Sequence, residues 1–146
     1  MIRLNLATDY ALRTLLLLAS RPGETVTTAD VAAFYRISAD HVGKVVAQLA
    51  HAGYLHAGRG RRGGLRLVTP PERISVGEVV ELFEGRVALL ECVDTEDVCV
   101  IQPTCRLRHL LSDAGRRLVE ELNRVTLADL IARDEPGLLQ LEPPNR

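Results

Sequence analysis

No apolar run in the 146 residues is long enough to cross a bilayer. The richest stretch, Ala11 to Ala19, contains Arg13, follows Asp9 and ends before Pro22, so it reads as a buried helix. It also lacks the layout of a signal peptide, because its small residues lead into more helical pattern rather than a cleavage junction. A cytoplasmic protein with no membrane contact is expected. A net charge of one strong sign is missing too: the formal charge is −1, and 47% apolar with 25% charged residues describe a globular chain rather than a disordered one. The length holds one domain with a dimerisation arm and excludes two large domains. Nor is there an even set of cysteines. Cys92, Cys99 and Cys105 are three, which argues against a disulfide framework in such a chain. Gly58 to Gly64 is glycine-rich, but no Walker lysine with Ser or Thr follows and no strand-then-helix frames it, so a nucleotide loop is excluded. His51, His56 and His109 stand far from any nucleophile-and-base pattern, and the chain is not expected to be an enzyme.

What is present is an asymmetry of charge. Residues 1–73 carry ten Lys and Arg against five Asp and Glu, whereas residues 74–146 carry eight against fourteen. A basic half in a neutral chain suits a local surface for a polyanion, since salt screens everything beyond a short range.

That basic half has the pattern of a DNA reader. A helix is expected from Thr8, as its cap, to Ser20, and a second from Ala29 to Arg36, with Thr27 and Asp30 as a variant capping box. A third runs from Ala39 to Ala52, capped by Ser38, with Val42, Val45, Val46 and Leu49 on one face and Gly53 as its stop. Two short helices joined by a tight turn resemble a helix-turn-helix. Residues 54–57 and 65–68 are strand-compatible and flank a tip bearing Arg59, Arg61 and Arg62. Helix-turn-helix followed by a basic hairpin makes a winged helix. Ser38, His41, Lys44 and Gln48 are the expected contacts of the third helix in the major groove, and Arg59, with Arg61 and Arg62, those of the wing.

The acidic half opens with Ser75 and Glu78, a capping box for a helix through Glu84 that turns Val76, Val79, Val80 and Phe83 inward before Gly85 closes it. The three cysteines follow in a segment without helical period, read as a loop. From Arg106 to Arg124 a long helix carries Leu107, Leu111, Ala114, Leu118, Leu122 and Val125 as a stripe suited to pairing with a second copy. Thr126 caps a last short helix. The expected fold is mainly α, a winged helix-turn-helix with a small β-hairpin wing plus a long dimerisation helix. Its divisions are 1–74 for DNA binding, 75–105 for the short helix and cysteine loop, 106–133 for dimerisation and 134–146 as a flexible tail. A symmetric dimer implies a pseudo-palindromic site on double-stranded DNA. Three thiols in one loop suit an iron-sulfur cluster, a zinc site completed by His109, or redox chemistry, and the spacing alone leaves all three open.

Thr8 to Arg13, Leu49 to Leu55, Arg59-Gly60 with Gly63-Gly64, Ser75 to Val80 and the three cysteines together resemble the Rrf2 family of bacterial transcription regulators. The resemblance covers nearly the whole chain. Cys99 to Leu107 and Thr126 to Leu130 look most like the nitric-oxide-sensing repressors of that family, whereas its cluster-biogenesis regulators have a glycine-rich cysteine loop, and no Gly stands here between Cys92 and Cys105. The resemblance implies a homodimeric repressor with an iron-sulfur cluster, 4Fe-4S before 2Fe-2S, on Cys92, Cys99 and Cys105. It points to Asp9 as fourth ligand, with His109 as the alternative; because Asp9 sits in the DNA-binding half and the cysteine loop beside the dimer helix, that ligand is expected from the other subunit. Competing readings are a regulator sensing iron-sulfur or redox status, a zinc-stapled winged-helix regulator and, last, a cysteine-dependent redox enzyme.

Overall fold

Asn5 starts the first helix. In the computed structural model, which describes residues 3–58 and 63–131, its side-chain oxygen accepts from the Thr8 amide at 2.9 Å and caps α1 (Leu6–Ser20). The sequence places this cap at Thr8. Thr8 instead lies inside the first turn, buried, with its hydroxyl bonded to Asn5 and to the Glu84 carboxylate. The added half-turn ties the start of α1 to the end of α4.

α2 (Thr28–Tyr35) has the expected reciprocal cap, Thr27 accepting from the Asp30 amide and Asp30 accepting from the Thr27 amide. It ends at Arg36, whose left-handed φ of 56° turns the chain into α3 (Ala39–His51). Ser38 holds the N-cap position of α3, but its side chain makes no capping bond, and Ala52 is the C-cap rather than the last helical residue. Val42, Val45, Val46 and Leu49 are buried as their spacing requires, against Ala11, Leu15, Leu17 and Leu18 of α1 and Val31 of α2. Each such side chain, fully buried, is worth about 1.5–3 kcal/mol.

β1 (Leu55–Ala57) and β2 (Leu65–Leu67) pair antiparallel with Leu55 opposite Leu67 and His56 opposite Arg66. The wing is pinned to the head by the Leu65 amide, which donates to the Val26 carbonyl at 2.7 Å. Gly64 lets the strand run close to that segment: a Cβ would stand 2.6 Å from Thr25 Cγ2 and 3.3 Å from the Val26 carbonyl.

α4 (Val76–Glu84) begins at the Ser75–Glu78 capping box and packs on both α1 and α6. Phe83 is half-buried against the core rather than enclosed. The segment with the cysteines is not wholly irregular, since Glu91–Asp94 forms one helical turn, α5, too short to leave a period in the sequence. α6 (Arg106–Leu122) stops two residues before the expected Arg124. The chain then returns to the head: α7 (Leu127–Leu130) is capped by Thr126 and Asp129, and Leu127 is fully buried, its amide bonded to the Ile74 carbonyl at 2.9 Å. Among the described residues no helix is long and apolar enough to cross a membrane.

Candidate nucleic-acid interface and cysteine loop

With Val42, Val45, Val46 and Leu49 turned inward, the helical repeat puts Asp40, Lys44, Ala47 and His51 along the middle of the opposite face, all exposed. Lys44 is therefore free to reach a phosphate, and beside it a Cβ on Gly43 would meet nothing within 4 Å. The small Gly43 and Ala47 let the helix backbone come close to a groove, and the sequence reading missed both. They follow from rotating the face away from the buried valines. His41 and Gln48 lie on a flank. The His41 ring stands 6.2 Å from the ring of Tyr10 on α1, and Gln48 Nε2 donates to the Leu82 carbonyl of α4 at 3.2 Å. Gln48 thus holds α3 to α4. Ser38 is exposed at the start of α3. Arg36 is exposed in the preceding turn, and His56 and Arg66 are exposed cross-strand partners on the wing, three further basic groups on the head. Arg59, Arg61 and Arg62 lie outside the described residues.

In the cysteine loop, Cys92 on α5 and Cys105 at the N-cap of α6 are half-buried and Cys99 is exposed, all three with free thiols. Two side chains are buried within residues 90–105, Val93 and Gln102. Gln102 Nε2 donates to the carbonyls of Cys92 (2.8 Å) and Thr95 (2.6 Å), and its Oε1 accepts from the Val98 amide (3.0 Å). Arg108 binds Glu96 at 2.6 Å and fastens the loop to α6. Among the described residues no three of Cys, His, Asp and Glu stand together as a metal-binding group.

Asp9 belongs to the head. Its carboxylate accepts from Arg13 Nε at 2.7 Å, and the Arg13 guanidinium sits over the Tyr35 ring, 5.6 Å from its centre. The bond to Asp9 raises the Arg13 pKa. Burial pushes the Tyr35 phenol up to about 12, and its hydroxyl has no hydrogen-bond partner.

The Rrf2 family model, described as iron-dependent transcriptional regulator, matches residues 4–133. The chain belongs to the Rrf2 family. This Rrf2 regulator is 42% identical over 130 residues to the HTH-type transcriptional regulator NsrR of Bacillus subtilis (strain 168), covering 88% of this chain and 89% of that protein. Its fold is that of CymR (YrzC), the global cysteine regulator of B. subtilis, with a TM-score of 0.71 at 24% identity over 92% of this chain and all of the other. T. potens IscR is as similar, with a TM-score of 0.71 at 23% identity over 92% of this chain and 89% of that one. The protein is thus a winged-helix transcriptional regulator, and its relatives are regulators rather than enzymes.

The donors of this Rrf2 regulator fit an iron-sulfur cluster in kind. Three free thiols occupy one short loop, and thiolates are the usual ligands of such clusters. In position, the Cys92 carbonyl is bonded to Gln102 and, among the described residues, the thiols are not closed into a cage. His109 stands one helical turn after Cys105 on α6, exposed, which keeps it available as a nitrogen ligand.

Proposed function

We propose that the chain is a homodimeric repressor that grips double-stranded DNA with α3 and the wing, and that nitric oxide releases it through an iron-sulfur cluster held by Cys92, Cys99 and Cys105. The observation that carries this is the placement of three free thiols on one loop that runs straight into α6 at Cys105, behind a helix-turn-helix. Likeness to NsrR and the resemblance to nitric-oxide-sensing repressors supply the signal. The fourth ligand is Asp9 of the partner subunit, with His109 as the alternative, and the 4Fe-4S form is favoured. A bound cluster would supply iron able to take up nitric oxide, and an oxygen ligand from Asp9 would hold that iron less firmly than a thiolate.

The chain's own residues pass the change on. α6 leaves Leu107, Leu110 and Leu118 at 55%, 64% and 40% exposure, a stripe for the α6 of a second copy. Cys105 holds the N-cap position of that helix, so a shift of the loop reaches the dimer contact directly. Asp9 sits in the first turn of α1, against which α3 packs. Two reading heads at a wrong spacing lose contacts on both half-sites of a pseudo-palindromic operator, so a coupling of about 1–3 kcal/mol is enough for release. The division into a head (1–74), a sensing segment (75–105), a dimerising segment (106–133) and a tail (134–146) follows, with the cytoplasm as the site of action.

Anaerobic purification, absorption spectroscopy and iron, sulfide and zinc analysis test this. The wild type is expected to be coloured and to lose operator binding with nitric oxide. Cys99→Ala is expected to be colourless and its binding indifferent to nitric oxide. A colourless wild type with stoichiometric zinc and unchanged binding would replace the sensor by a zinc-stapled regulator.

A further inference from the structure

We propose that Gln102 is the positioning residue of the cysteine loop, holding Cys92, Cys99 and Cys105 in one register as a ligand set; the assignment rests on the reading of the loop as a cluster site. The loop is folded inside out. Gln102 is 3% exposed, whereas its apolar neighbours Val100 and Ile101 are 99% and 61% exposed, so hydrophobic burial does not choose which side chain goes in. Hydrogen bonding does. Both Nε2 protons are used, on the carbonyls of Cys92 and Thr95, and Oε1 takes the amide of Val98, the residue before Cys99. The Gln102 main chain completes the set, its amide donating to the Cys99 carbonyl at 3.0 Å and its carbonyl accepting from the Cys105 amide at 3.4 Å. One residue is therefore bonded to the backbone of all three cysteines.

Shape cannot replace this. Leu fills a similar volume without a polar atom, and an ionised Glu keeps the acceptor for Val98 but aims a carboxylate oxygen at the carbonyls of Cys92 and Thr95. Either change frees the main chain around Cys92 and Cys99 while leaving the head core of Leu15, Leu49 and Ile74 untouched. The functional consequence is retention of the ligand set. Thiols that keep their spacing without iron lose less freedom on loading, and release iron more slowly.

Gln102→Leu and Gln102→Glu test it in the full-length protein, with Val100→Ala at the exposed neighbour as control. In iron-free protein, hydrogen exchange at the Val98 amide is expected to speed up at least tenfold in both Gln102 variants, with the thermal unfolding of the head unchanged. After anaerobic loading with ferrous iron and sulfide, both are expected to lose iron to a chelator at least tenfold faster than wild type, with an altered visible absorption envelope. Val100→Ala is expected to match wild type throughout. Wild-type exchange and wild-type iron loss in both Gln102 variants overturn the assignment. A wild type that takes up no iron overturns the cluster reading instead, and exchange at Val98 then decides alone whether Gln102 orders the thiols.

Discussion

Leu15, Leu17, Leu49 and Ile74 lie fully buried in the head, packed side by side from α1, α3 and the segment before α4. Residues 90–105 bury only Val93 and Gln102, and expose Val98, Val100 and Ile101. The first region is held by area removed from water, which is indifferent to direction and spread over many side chains. The second is held by a few directional bonds converging on one amide. A region of the first kind keeps its shape when one contact is lost, while one of the second kind reorganises.

The largest effect expected from that difference belongs to Leu15→Ala. It empties a fully enclosed site and costs about 2–5 kcal/mol, read by chemical denaturation. Val93→Ala in the loop is expected to leave the midpoint of head unfolding close to wild type. Equal losses from the two substitutions would show that the loop belongs to the same cooperative core.

Next comes the seam between the regions. A Cβ on Gly77 of α4 would stand 2.3 Å from Asn123 Oδ1 and 2.8 Å from the Val119 carbonyl, so glycine allows α4 to cross the end of α6. Gly77→Ala is expected to cost about 1–3 kcal/mol through overpacking. Because it pries α4 from the end of α6 without touching the cysteine loop, it is also expected to weaken operator binding while leaving the thiols' reactivity with a maleimide unchanged.

Within the head, Lys44→Ala is expected to weaken DNA binding and to reduce the salt slope of log K by about one, the signature of a lost phosphate contact. Gln48→Ala, whose amide is engaged with Leu82, is expected to leave the slope unchanged. A lowered slope in Gln48→Ala would return that residue to the interface.

How far the sequence discloses this architecture follows from the range of the forces involved. Val42, Val45, Val46 and Leu49 announce both the helix and its inner face, and the three capping boxes at Thr27, Ser75 and Thr126 form as their spacing demands, because periodicity and caps act over four residues or fewer. Asn5 is the better cap by type, and Thr8 is held inside the first turn by a bond to Glu84, 76 positions away. Gln48 reads as a polar residue on an outer face, until α4 arrives at Leu82, 34 positions away. Gln102 between Ile101 and Pro103 carries no period at all. Its burial depends on the loop closing around it, and the thiols' mutual placement shares that dependence.

The smallest expected effect lies at Tyr35, where the head holds a polar group as the loop does but leaves it unsatisfied. The phenol hydroxyl is buried without a partner, with Phe34 packed edge-to-face with its ring and Arg13, paired to Asp9, over that ring. Tyr35→Phe removes the unanswered hydroxyl and keeps the ring, so a gain of about 1 kcal/mol is expected near neutral pH. The alkaline limb separates this from a packing effect. Burial holds the folded pKa at about 12, against 10.0 for the free side chain. The contribution is therefore fully present below pH about 10 and is lost as pH rises toward 12, where the unfolded chain releases the proton first. Denaturant unfolding at pH 8 and pH 11 is expected to show a smaller alkaline loss in Tyr35→Phe than in wild type. Some loss should persist in the variant, because burial also raises the Tyr54 phenol. A variant less stable than wild type at pH 8, with the same alkaline loss, would mean that the hydroxyl is bonded in solution, and the head would then have no unsatisfied polar group at this position.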